Sequence, residues 1–231
     1  MGKLSIKISE KYHYSPSKTD FLEMIASLFI MSFGVALSVK ANLGSSPISS
    51  LPNVLSIFSG LSLGTTMLIT NITMIVAEWI IMHDRTKIVY TMVQLPFTII
   101  QSVFVDIIMM PMDGWFVTDL VQQWGLVIIS NLIIAFGVVL SIDSNVSLLA
   151  DDGLILAIHG ATRVRLDKVM LLFDIAFIGS AFIASYIFFQ DFVGVGMGTI
   201  VAGLTLGPFV KILTTFVKRH IRSNGHIVDE K

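Results

Sequence analysis

Asp174 sits inside an apolar run, VMLLFDIAFIGS, that leaves a carboxylate no water of its own. Charge at such depth is costly, so it faces a cavity or a partner and commonly handles ions or protons. The plainer role for Asp174 is a hydrogen bond to a neighbouring helix. Two further carboxylates, Asp151 and Asp152, stand together in a polar break, SNVSLLADDGLILAIHG, at Ser144–Gly160. A second break, ANLGSSPISSLPNVLSIFSG at Ala41–Gly60, offers an amide and hydroxyls instead: Asn42, Ser45, Ser46 and Ser49. Asn71 and Asn145 complete the set. Amides, hydroxyls and carboxylates together suit a small polar solute. The acidic bias favours a cation, an amine-bearing solute or a proton.

Enzyme chemistry finds little support. No HExxH, GxSxG or P-loop pattern occurs. The glycines of VGVGMG lie in a late apolar run without the strand–turn–helix setting of a dinucleotide site. Asp151 and Asp152 lack His or Glu neighbours at metal-site spacing, and the chain has no cysteine. A net charge of −1 with no basic stripe argues against nucleic acid. The expectation is therefore no catalytic residue, no metal and no cofactor.

The elements that must position these residues follow from hydropathy. The chain is 54% apolar and 13% charged, about half the charge of a soluble domain. Six runs are long enough to cross ~30 Å of hydrocarbon as helices. They are Phe21–Lys40, Leu63–Met82, Val89–Met110, Trp124–Ile142, Val169–Phe189 and Val193–Thr214. The first is too long for the apolar core of a signal peptide. With the N-terminus in the cytoplasm, nearly every Lys and Arg falls on that side, including Arg85, Lys87, Arg163, Arg165 and Lys168; Lys40 is the exception. The expected organisation is a cytoplasmic segment 1–20, a membrane repeat 21–110, an external linker 111–123, a second repeat 124–214 and a cytoplasmic basic tail 215–231. A bacterial inner membrane is the expected location, with both termini cytoplasmic.

The two halves resemble one another. FGVALSVKAN at Phe33–Asn42 aligns with FGVVLSIDSN at Phe136–Asn145, an offset of 103 residues. At that offset Leu51 meets Leu154, Leu63 meets Leu166, Met67 meets Met170 and Asn71 meets Asp174. Three spans per copy place the second copy in the membrane upside down, the inverted repeat common among secondary transporters. The charge partition also requires Ser49–Gly60 to dip in and return on one side. Gly44, Pro47 and Pro52 disfavour a continuous helix there. The spacing predicts short helices over Leu51–Ser59 and Gly153–His159, capped by the serines and by Asp151 or Asp152. Such breaks are tolerated where protein or a wet cavity satisfies the backbone. The fold expected is thus an all-α membrane protein of six transmembrane helices in two inverted three-helix repeats, each with a short re-entrant or broken helix.

Other polar positions read as structural. Glu78 is expected to be a structural or interfacial charge one turn from its span's end, and His159 a polar loop residue. Gly203 and Gly207 form a small-xxx-small pair suited to close helix approach.

ANLGSSPISSLPNVLS resembles the A-x-LG-x-x-P segment of the bacterial YczE/YitT-like integral membrane proteins, and VGVGMGTIVAGLTLGPFVKIL at Val193–Leu213 is similar to their late glycine-rich helix. The chain departs from that pattern in having Ser49 after the proline instead of an acidic residue, and Gln94-Leu95-Pro96 instead of Gly-Thr in the third span. The resemblance implies location and span number more than activity. The residues favour a secondary transporter, with a small-molecule substrate and the bilayer as partners, beside a homodimer mate or transport complex. The alternatives are a substrate-binding subunit of a multi-component importer and a non-transporting scaffold.

Overall fold

The structure, a computed structural model, describes residues 17–82, 91–115, 117–144 and 146–220. Among them there is no strand. Eight helices follow in order: α1 (Lys18–Lys40), α2 (Pro47–Ser59), α3 (Leu63–Met82), α4 (Gln94–Met109), α5 (Leu120–Ser144), α6 (Ala150–Thr162), α7 (Leu166–Phe189) and α8 (Met197–His220). Six are long and apolar enough to cross a membrane, and α2 and α6, at 13 residues each, are not. The protein is a multi-pass membrane protein. The basic loop with Arg85 and Lys87, most of the N-terminal segment, the end of the basic tail and Asn145 lie outside the described residues.

Several boundaries moved for local reasons. α2 begins at Pro47 rather than Leu51, because proline is pre-organised for the first helical turn, where its missing N–H costs nothing. Pro52 sits inside the same helix. α6 begins at Ala150, with Leu149 at the N-cap position and Asp151 and Asp152 inside the first turn. There their carboxylates still face the positive end of the helix dipole. α4 begins at Gln94, five residues later than the hydropathy run.

The centre of the bundle is the α1–α5 crossing. Lipid offers no hydrophobic drive between helices, so close packing of small residues must hold such a contact. A methyl built on Gly34 would lie 2.6 Å from the Ile134 side chain and 3.0 Å from the Ser130 carbonyl. One built on Gly137 would lie 2.4 Å from Met31 and 3.1 Å from the Ser27 carbonyl. Gly34 and Gly137, Ser27 and Ser130, and Met31 and Ile134 are each 103 residues apart. The contact is therefore reciprocal: what the first glycine touches on α5, the second touches at the equivalent place on α1.

Around this centre, α4 packs on α1 and α8 packs on α5. The short helices cross over. α2 rests on α7 of the other half, through Val54 and Ala181, and α6 rests on α3, through Leu154, Met74 and Ile75. The two halves differ at their edges. α3 and α4 pack closely, whereas α7 and α8 barely meet. Accordingly 56% of the apolar window of α1 is buried, against 11% for α7 and for α8. The expected close approach at Gly203 and Gly207 is only half realised: Gly203 meets Ile178, while nothing lies within 4 Å of Gly207.

Candidate functional site

Polar residues gather at the start of each short helix. The α1–α2 corner is built by a residue in the left-handed region, Asn42, at φ 57°. Asparagine tolerates this conformation just past a helix end. Gly44, at φ 109°, then brings the chain against α8. A side chain there would collide with the Thr199 hydroxyl at 2.3 Å, and the Leu43 carbonyl accepts the Gly198 N–H at 2.8 Å.

The serines of this corner are buried and mutually satisfied. Ser46 and Ser49 share a hydroxyl–hydroxyl bond of 2.6 Å, and the Ser50 hydroxyl donates to the Pro47 carbonyl at 2.6 Å. The expectation that these hydroxyls cap α2 is corrected. The amides of Ser45 and Ser46 donate to hydroxyls of other helices, Thr199 at 3.1 Å and Ser38 at 3.2 Å. Packing of the corner against α1 and α8 brings those hydroxyls within hydrogen-bond reach of the two amides. Ser45, Ser46 and Ser49 are at most 2% exposed. Their chemistry is spent on holding the corner.

Beside the corner opens a cleft of about 1320 Å³, lined by Lys40, Asn42, Asn53, Ser56, Asp106 and Asp113 among others. Its walls are the end of α1, the start of α3, the end of α4 and the turn before α8. Of the residues singled out from the sequence, Asn42 lines it, and Asn71, Asp151, Asp152 and Asp174 do not. Asn53 was missed by sequence reasoning; its amide donates to the Gly194 carbonyl at 2.9 Å and ties α2 to the α7–α8 turn. Asp106 also does structural work. One oxygen accepts the Gly64 N–H and the other the Ser62 hydroxyl, both at 2.7 Å, so α4 caps the start of α3.

The second gathering is acidic and lies at the other end of α3. Asp151 on α6 is close enough to Asp174 on α7 for their like charges to interact. Glu78 on α3 was expected to be a structural or interfacial charge. It is 1% exposed, because α6 covers this last turn of the helix. Gln94 at the start of α4 donates to it at 3.2 Å. Gly153 seats α6 on this pair: a methyl there would lie 2.7 Å from Glu78 Oε2 and 2.6 Å from Gln94 Nε2. The signal available in the sequence was Glu78 itself, a carboxylate inside a span. Among the described residues no three acidic or His side chains are placed to hold a metal ion.

Farther along the same helices stand Asn71, buried on α3, and its counterpart in position, Asp174, half-buried on α7. Each lies eight residues into its helix, about 12 Å from that helix's first residue at 1.5 Å per residue. α2 and α6 each touch both α3 and α7, so the four elements form a ring in which short and long helices alternate. Such a ring can offer polar side chains to a solute from both ends.

No curated protein matches the chain, and no solved structure does. A model of a protein family described as a family of unknown function, DUF6198, matches residues 18–215. That match runs from the first turn of α1 into the last turns of α8, and so over every helix described above; the chain belongs to the DUF6198 family.

Proposed function

We propose that this protein is a secondary transporter for a small polar solute, cationic or amine-bearing and proton-linked, that binds between two inverted repeats. One observation carries the reading: two helices too short to span, each seated on the long helix of the opposite half, with polar side chains at their starts. The reciprocal contact at Gly34 and Gly137 and the twice-repeated order of long, short, long and long helices support a two-fold relation in the membrane plane. Transporters of this design place broken helices at the substrate site. The loose seam between α7 and α8, set against the tight one between α3 and α4, is the asymmetry that alternating access needs. The resemblance of the Ala41–Ser56 stretch to the YczE/YitT-like proteins implies a membrane location and adds no activity.

The test is uptake by the purified protein alone in liposomes, with candidate amines and polar solutes chosen by thermal-shift screening, since a ligand that binds the native state raises its apparent stability. Uptake without any partner supports the proposal. Absence of uptake together with co-purification of an ATPase module would point to the importer subunit.

The proposed orientation makes its own prediction. Both termini, and the loop at residues 85–87, should be cytoplasmic. The chain has no cysteine, so single cysteines can be introduced and labelled with an impermeant reagent without background. Labelling of the 85–87 loop in inverted vesicles and not in intact cells is the expected result. Labelling from outside the cell would remove both the orientation and the same-side return of α2.

A further inference from the structure

The transporter reading uses Asp174 and leaves Glu78 without a task. We propose that Glu78 and Gln94 form a second protonation site, one seated beneath the first turns of α6. Its use in a transport cycle rests on the transporter reading; the site itself does not.

Glu78 is enclosed by α3, α4 and α6, among the apolar side chains of Met74, Ile75, Ala150 and Leu154. Its hydrogen bond comes from the Gln94 amide nitrogen, and no cationic side chain among the described residues pairs with it. An ionised carboxylate so enclosed is costly unless a cation joins it. Gln94 is 3% exposed, and its Oε1 is buried without a hydrogen-bond donor. A buried acceptor of this kind calls for an explanation. Here one donor would satisfy both groups. A proton taken from water onto Glu78 creates an O–H that can donate to Gln94 Oε1 once the amide turns over. Loss of the proton to water restores the observed bond from Nε2. No other atom changes hands.

The remaining titratable groups on the packed helices are placed otherwise. On α6, Asp151 and Asp152 lie in the first turn, and the His159 ring bonds the Val164 carbonyl past the helix end. On α4, Asp106 caps the far end of α3. On α2 there are none. Gly153 rests against both Glu78 and Gln94, so their hydrogen bond is made directly beneath the α6 backbone. Asp151 lies two residues earlier in that helix and acts on Asp174. The pair is thus linked by one rigid helix to the carboxylate proposed to serve transport.

The experiment is infrared difference spectroscopy of the purified protein, with and without isotope-labelled glutamate, as pH is stepped between about 5 and 9. A neutral-carboxyl band that titrates, moves with the glutamate label, vanishes in Glu78→Gln and persists in Asp174→Asn is the expected result. Gln94→Met should keep the band and shift its midpoint, which tests the pair even if Glu78→Gln does not fold. A band that survives Glu78→Gln, a titration that ignores the glutamate label, or an unchanged midpoint in Gln94→Met would overturn the proposal. The readout needs no transport. A titrating Glu78 in a protein that moves no solute would therefore leave this site standing and remove the transporter reading alone.

Discussion

Gly64→Ala should be the most damaging single-methyl change in the chain, with a loss of about 3 kcal/mol or more. The added carbon would lie 2.1 Å from the Ser102 carbonyl and 2.6 Å from the Asp106 carboxyl carbon. A side chain can rotate away from such a contact; the carbonyl of a packed helix cannot. Separating α3 from α4 would also break the two bonds by which Asp106 caps α3, so a steric cost and an unmet amide arrive together. Gly125→Ala is the matched control. It too lies in a long apolar helix, but nothing stands within 4 Å of the added carbon, and alanine is the better helix former by about 1 kcal/mol. Thermal unfolding of the purified variants should rank Gly64→Ala far below the parent and Gly125→Ala level with it or above. Equal midpoints for the two would mean that α3 and α4 are not packed as described.

Asp174→Asn should carry the largest functional effect. Asparagine keeps the size, replaces one acceptor oxygen with a donor NH2, and has neither charge nor a titratable proton. If Asp174 serves the solute and its coupled proton, uptake in liposomes should fall about tenfold or more, the equivalent of ~1.4 kcal/mol in the barrier. Proton movement that accompanies the solute should vanish. The unfolding midpoint should change little, because the side chain is half-buried and, among the described residues, no hydrogen bond or ion pair depends on it. Removing the charge also relieves Asp151 of a like-charged neighbour. Full, pH-dependent uptake by the Asn variant would exclude Asp174 as the coupling group and leave it a packing residue.

The outline of this protein was legible because lipid imposes simple rules on sequence. A chain that crosses hydrocarbon must supply about 20 apolar residues and satisfy its backbone internally, so hydropathy locates the helices. Leu63–Met82 was found to the residue, and the break at Gly44 and Pro47 announced a short helix because those residues limit where a helix can start. The 103-residue offset matched Gly34 to Gly137, but it gave no sign that both would lie in the α1–α5 crossing. Rotation was another matter. These helices are apolar nearly all round, so no stripe says which side faces protein and which faces lipid. Ser45, Ser46 and Ser49 looked like ligands in the sequence, yet only the approach of Ser38 and Thr199 shows that the corner's polar groups are already satisfied. Glu78 looked interfacial by its distance from the span's end. Its burial depends on α6, a helix more than seventy residues later that reaches it through Gly153, and one-dimensional spacing carries no trace of that contact. Sequence therefore determined how many long apolar helices the described residues contain and, to within a few residues, where the chain breaks between them. Tertiary packing decided which polar groups were consumed by the fold and which were left over, because that depends on the neighbours three-dimensional contact supplies.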